Sequence, residues 1–181
     1  MKMAIMTDTN SGITVAEGEQ NGIYALPKPV IVGGECYTEG QDITHEELFA
    51  AMEAGKAIHT SQPAPDEVTD LWDHILSDGM DEIVYIPMSS GLSSSCEMAK
   101  TLAKEYPGKV FIADNHRISV TQRSSVYDAL YLSQQGKTGA EIKAQLEKAA
   151  FDASIYICVD TLKYLKKATG SHPPARPWLQ P

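Results

Sequence analysis

The chain has 181 residues, 43% of them hydrophobic, and a formal net charge of −9, enough for one well-buried core or for one domain plus a fragment of another. The acidic balance argues against nucleic acid as a partner, because its phosphates would be repelled, and against a polybasic membrane patch. No run of about 18 apolar residues occurs, so no membrane insertion is expected, and the start MKMAIMTD has no apolar leader, which makes a cytoplasmic location the expectation.

Met3 to Met6 is a short apolar run closed by Thr7-Asp8-Thr9-Asn10-Ser11-Gly12, a polar turn of the kind that follows the first strand of an α/β domain. Asp8 has two readings there, a metal or catalytic acid and a carboxylate that organises its own turn. Ile23 to Val32 contains Pro27 and Pro29, which exclude a long central strand and leave short extended pieces at an edge. Gly33-Gly34 then turns the chain. Thr44 and Glu47 have capping-box spacing, and Leu48, Phe49 and Met52 supply the apolar face of the helix that follows. His45 and His74 lie on separate helices without a second ligand at i+4, so both read as surface or packing residues.

Two prolines hold Thr60-Ser61-Gln62 extended until Pro65, which fits a first helical turn. Val68, Leu71, Trp72, Ile75 and Leu76 fall at i, i+3, i+4, i+7 and i+8, an amphipathic helix. Ile83 to Ile86 is the apolar run of a strand buried on both faces, and it runs into Ser89-Ser90-Gly91-Leu92-Ser93. Ser94 and Glu97 have capping-box spacing, which predicts a helix starting at or just after Ser93. A strand that feeds a helix N-terminus gathers free N–H groups, hydroxyls and a positive dipole end, which suits an anion; the same serines also serve as plain turn and cap. The stretch lacks the spacing and lysine of a phosphate-binding Walker loop and the second glycine of a nucleophile elbow.

Val110 to Ala113 reads as another strand, Ser119 to Gln135 as a helix stopping at Gly136, Thr138 with Glu141 as the start of a further helix, and Ile155 to Val159 as the last strand. Cys36, Cys96 and Cys158 form no paired motif and are expected to be reduced and mostly buried. From residue 168 the chain changes character, with four prolines in its last nine residues and no periodicity. The alternation of strand and helix predicts an α/β fold, a mostly parallel sheet with helices on both faces.

Together, AIMTDTNSGI, HTSQPAPDE and IPMSSGLSSS resemble the DegV family of bacterial fatty-acid-binding proteins, which includes the lipid-carrying subunit of fatty acid kinase, and VDTLKYLKK looks like that family's approach to its second domain. The resemblance implies an N-terminal α/β DegV-like domain over residues 1–153, the start of a second domain at 154–167, and a non-native-looking tail at 168–181. The turn reads TDTNSG where a TDSTSD-like form is usual, and the helix entry reads SSS where S-G-T is common. By the resemblance, the family's second, C-terminal domain is expected to be missing after Lys167, so weak or no lipid retention is expected of this chain.

By resemblance, a long-chain fatty acid is held by its carboxylate between Thr60 and Ser93, with Ser61, Ser90, Gly91, Leu92 and Asp8 in support. A fatty acid kinase subunit is the implied partner, and the protein is a carrier rather than an enzyme, with no cofactor, metal or catalytic residue. Two alternatives stand beside this one. Asp8 and Asp114 with the serines would form a hydrolase or phosphotransferase site, or the chain would be a truncated remnant forming a homodimer through an uncovered face.

Overall fold

The computed structural model describes residues 2–156 and Cys158. Its centre is a parallel sheet of four strands, β1 (Met3–Asp8), β2 (Ile23–Leu26), β6 (Glu82–Ile86) and β7 (Val110–Ile112), in the order β2-β1-β6-β7. Successive side chains of a strand point to opposite faces, and here both faces are covered. Ala4, Met6, Ile83 and Tyr85 pack with Val68, Trp72 and Ile75 of α3 (Pro65–Ser77) and with Cys96 and Ala99 of α4 (Ser95–Leu102). Ile5, Val84 and Ile86 face the other way, toward Val126 and Ala129 of α5 (Ser119–Gln134) and Ile142 and Leu146 of α6 (Gly139–Lys148). A continuous apolar strand therefore divides its side chains between two cores, which is why the Ile83–Ile86 run shows no polar alternation.

Trp72 is fully buried and meets Tyr85 and Tyr106 edge-on, with ring centroids 6.4 and 5.3 Å away. The short α1 (Val15–Asn21) lies against β2 so closely that a side chain at Gly18 would meet the Ile23 carbonyl oxygen at 2.4 Å. That approach requires glycine.

A second sheet was not expected from the sequence. β3 (Pro29–Val32), β4 (Glu35–Thr38) and β5 (Ile58–Thr60) form an antiparallel unit in the order β4-β3-β5. Gly33 and Gly34 both have positive φ, 63° and 96°, as a two-residue turn between twisted antiparallel strands demands. The expected edge position holds for β2, whereas β3 is the middle strand of this second sheet and tolerates Pro29 as its first residue. Val30, Val32 and Ile43 form its core, with Leu48, Ala51 and Ile58 packed against it.

Several finer expectations change. In α2 (His45–Glu53) the capping box of Thr44 and Glu47 is present, but Phe49 is 62% exposed and no residue of the helix is fully buried. At α4 the Ser94–Glu97 box does not form; Ser94 makes no capping hydrogen bond, and Ser93 caps instead. Cys96 is buried as expected, whereas Cys36 and Cys158 are exposed. Of the strand expected at 155–159, Ile155, Tyr156 and Cys158 are not in strand conformation, and Ile157 and Val159 lie outside the described residues. The tail at 168–181 and most of the segment 154–167 also lie outside them.

Candidate functional site

The chain runs from β1 to β2 on one side, then crosses to β6 and β7 on the other, so the order of the parallel strands reverses between β1 and β6. Loops at the carboxyl ends of strands diverge at such a switch point and leave a crevice, the usual ligand position in open α/β sheets. Asp8, Met88 and the serine-rich loop 89–93 all emerge here.

Buried hydrogen bonds fix this edge. Thr7 Oγ1 donates to the Ile86 carbonyl (2.9 Å), and the fully buried Gln122 of α5 donates to Thr7 Oγ1 (3.1 Å), Asp8 Oδ1 (3.2 Å) and the Ile86 carbonyl (3.1 Å). Asp8 is fully buried, and both its oxygens are engaged. Oδ1 also accepts from the backbone and side-chain nitrogens of Asn10, while Oδ2 accepts from the Met88 backbone N–H at 2.8 Å. Asp8 thus organises its own turn and in addition holds the start of the loop after β6. Gln122 had no signal in the sequence beyond a polar residue at a core-facing helical position.

A second carboxylate grips the same loop from β7's side. Asp114 Oδ1 accepts from Ser90 N–H at 3.3 Å, and Oδ2 accepts from Lys100 Nζ at 2.9 Å. Burial works to raise the Asp114 carboxyl, but the hydrogen bonds from Lys100 and Ser90 together outweigh it and hold the group down at about 2. Ser89 N–H donates to the Arg117 carbonyl at 3.0 Å, and within the loop Leu92 N–H and Ser93 N–H both donate to the Ser89 carbonyl. The serine-rich loop is therefore anchored from both flanking strands.

Ser93 is half-buried. Its hydroxyl accepts from Ser95 N–H at 3.2 Å and lies 2.8 Å from the Ser95 hydroxyl. When Ser95 is the donor in that pair, the Ser93 proton is left to point outward at an acceptor. A carboxylate only accepts, so this is the arrangement a bound carboxylate would select.

Thr60 ends β5 opposite Val30, and its side chain is exposed with no hydrogen bond among the described residues. Ser61 N–H donates to the Pro29 carbonyl at 3.1 Å. The structure thus gathers Asp8, Ser90, Gly91, Leu92 and Ser93 at the switch point, while Thr60 and Ser61 belong to the antiparallel sheet. No hydrogen bond joins the two groups among the described residues.

Cys96, Glu97 and Asp114 bring ligand-type atoms within 4.8 Å of one another. They fit a metal poorly. Lys100 Nζ already bonds Glu97 (2.7 Å) and Asp114 (2.9 Å), placing an ammonium where the cation would have to sit. A cleft of about 440 Å³ lies elsewhere, between the turn after β1 and the start of α2, lined by Thr9, Ile13, Thr14, Glu39 and His45 among others. Neither Thr60 nor Ser93 lines it. His45 Nε2 stands 3.4 Å from Glu39 Oε1, and both His45 and His74 are largely exposed, as their spacing suggested.

The family model of the DegV family of uncharacterised proteins matches residues 2–169. A DegV domain-containing protein of Streptomyces coelicolor is 30% identical over 165 residues, covering 91% of this chain and 59% of that protein. One from Deinococcus radiodurans is 30% identical over 167 residues, covering 92% and 59%. The chain thus spans about three fifths of the length of the curated relatives it matches. Among solved structures, a fatty acid-binding DegV family protein from Thermus thermophilus superposes with a TM-score of 0.84 at 27% identity, over 93% of this chain and 60% of the other. A fatty acid-binding DegV family protein from Streptococcus agalactiae gives 0.73 at 28% identity, over 83% and 54%.

Proposed function

This chain belongs to the DegV family, and on that footing we propose that it binds a long-chain fatty acid by its carboxylate, between the hydroxyls of Thr60 and Ser93, and presents it to a partner kinase without itself catalysing a reaction. The observation that carries this reading is the likeness in fold and sequence to the fatty acid-binding protein of Thermus thermophilus. The local chemistry supports it. Ser93 sits on a loop anchored by backbone hydrogen bonds, with its proton free for an acceptor when Ser95 is the donor in their pair, and Thr60 offers a hydroxyl with no other partner among the described residues.

Magnitudes divide the work between head and tail. A 16-carbon acid has about 14 methylenes at about 0.8 kcal/mol each, of order 11 kcal/mol when fully buried. Each hydroxyl bonded to the carboxylate adds about 1.5–3 kcal/mol. The tail supplies affinity and the head group sets orientation. A hydrolase or phosphotransferase built on Asp8 and Asp114 is disfavoured by their partners, since both carboxylates hold backbone N–H groups of the loop and Asp114 also holds an ammonium.

Organic extraction of the purified chain followed by mass spectrometry tests the ligand class. Fatty acid recovered from the wild type and depleted in a Thr60→Ala, Ser93→Ala double variant is the expected result. Equal recovery from both would remove these hydroxyls from the site.

A further inference from the structure

Pro27-Lys28-Pro29 joins the two sheets, and Lys28 is only 5% exposed although it carries an ammonium. Its backbone belongs to the Thr60 side of the molecule: the neighbouring Pro29 carbonyl accepts from Ser61 N–H, and Val30 pairs with Thr60. Its side chain ends on the other side, with Nζ 3.9 Å from the thioether sulfur of Met88, at the head of the serine-rich loop. Lys28 therefore reaches from beside the Thr60 strand to the start of the serine-rich loop.

An ammonium has three donors, and a buried one needs acceptors. The sulfur of Met88 is a weak acceptor, and it is the one hydrogen-bond partner of the Lys28 ammonium among the described residues. Asp8 and Glu39 are close enough to act on Lys28 electrostatically, yet neither forms an ion pair with it. Their oxygens are engaged elsewhere, those of Asp8 by four N–H donors and those of Glu39 by Thr9 Oγ1 (2.7 Å) and His45 (3.4 Å). Burial draws the Lys28 ammonium below its ordinary value, and the fields of Asp8 and Glu39 oppose that shift.

We propose that the Lys28 ammonium is the cationic anchor of the acyl site, pairing with the ligand's head group so that the site takes anionic lipid heads in preference to neutral ones. The inference rests on the fatty acid reading above and adds to it a residue that determines specificity. It also explains how a carboxylate is accepted beside two protein carboxylates, since the buried cation offsets their field where the head group arrives.

Octanoate and octanol share a chain length and differ in head-group charge, and NMR titration of the full chain detects weak binding of either. The wild type should prefer octanoate by about tenfold or more, the scale of one charge-assisted hydrogen bond. Lys28→Met should cut that preference by about tenfold, and Lys28→Arg should restore it. A Lys28→Met variant that melts with the wild type and keeps its preference would overturn the proposal while sparing the fatty acid reading. Should that variant fail to fold, the wild-type Lys28 side-chain resonances decide: they must shift with octanoate and not with octanol, and their indifference to octanoate would also overturn it. A wild type that binds neither probe overturns the fatty acid reading and this inference together.

Discussion

A hydroxyl that already organises the fold and one that does not should respond differently to removal, and Ser93 and Thr60 are such a pair. Ser93 caps α4 through Ser95 N–H, so Ser93→Ala should lower stability by about 1 kcal/mol, the usual cost of a lost cap, as well as weaken binding. Thr60 makes no hydrogen bond among the described residues and is exposed, so Thr60→Ala should leave the melting temperature in place and weaken fatty acid binding by about tenfold or more. Parallel melts and ligand titrations on the two variants separate these roles; a Thr60→Ala protein that binds like the wild type would take Thr60 out of the site. Asp8 makes the opposite case. Replacing it by Asn puts an NH2 among the four N–H donors that now converge on it, which should cost about 2 kcal/mol in urea unfolding. The loss would appear as a shifted midpoint, the mark of a residue whose work is to hold the loop after β6.

Between α4 and β7, the pairing of Lys100 with Asp114 makes the loop's anchorage sensitive to acid. The folded carboxyl stands at about 2 against an ordinary value of 3.8, so it keeps its charge to lower pH in the folded chain than in the unfolded one. The stability it contributes is present in full above pH 3.8 and is lost as pH falls toward 2. Its size is at most about 2 kcal/mol, reduced by solvent screening because the Lys100 side chain is 36% exposed. Asp114→Asn should flatten the stability profile across that window, read by urea titrations at successive pH values; a profile as steep as the wild type's would assign the acid sensitivity elsewhere. This part of the molecule also shows what a sequence conceals. The T-x-x-E boxes at Thr44 and Thr138 form as their spacing indicates, and Glu141 keeps its box while its other oxygen accepts from Lys137. The S-x-x-E box at Ser94 does not, because Ser94 is itself in the helical conformation (φ −75°, ψ −7°) and not the extended one a cap needs, and the preceding Ser93 bonds Ser95 N–H instead. Which of two adjacent serines caps depends on the backbone conformation of a loop that Asp114, just past β7, helps to hold through Ser90 N–H, and spacing carries no record of that.

At the scale of the whole molecule, the parallel sheet was legible because its strands are built on short apolar runs and the helices between them carry their own period, whereas the antiparallel sheet joins β3 to β5 through pairings such as Ile31 with His59 that no local pattern announces. The same contrast has a thermodynamic side. The parallel sheet is sealed between two large apolar clusters, while β3, β4 and β5 rest on Val30, Val32 and Ile43 with a few half-buried neighbours and a helix α2 that buries no residue fully. Burial at about 25 cal/mol per Å² favours the first unit heavily, so the second should open at a lower free energy than the molecule as a whole. Hydrogen exchange should then find the amides of β3 and β5 exchanging well before those of β1 and β6. Thr60 lies on the looser unit and Ser93 on the tighter one, so a ligand gripped by both must stiffen the former against the latter. Adding octanoate should slow exchange at the β3–β5 amides and leave β1 and β6 as they were, since a ligand that binds only the closed form adds its binding free energy to the cost of opening. If β3 and β5 exchange at the same rate with and without ligand while the loop at 89–93 becomes protected, the head group is held by the serine-rich loop alone and Thr60 plays no part in holding it.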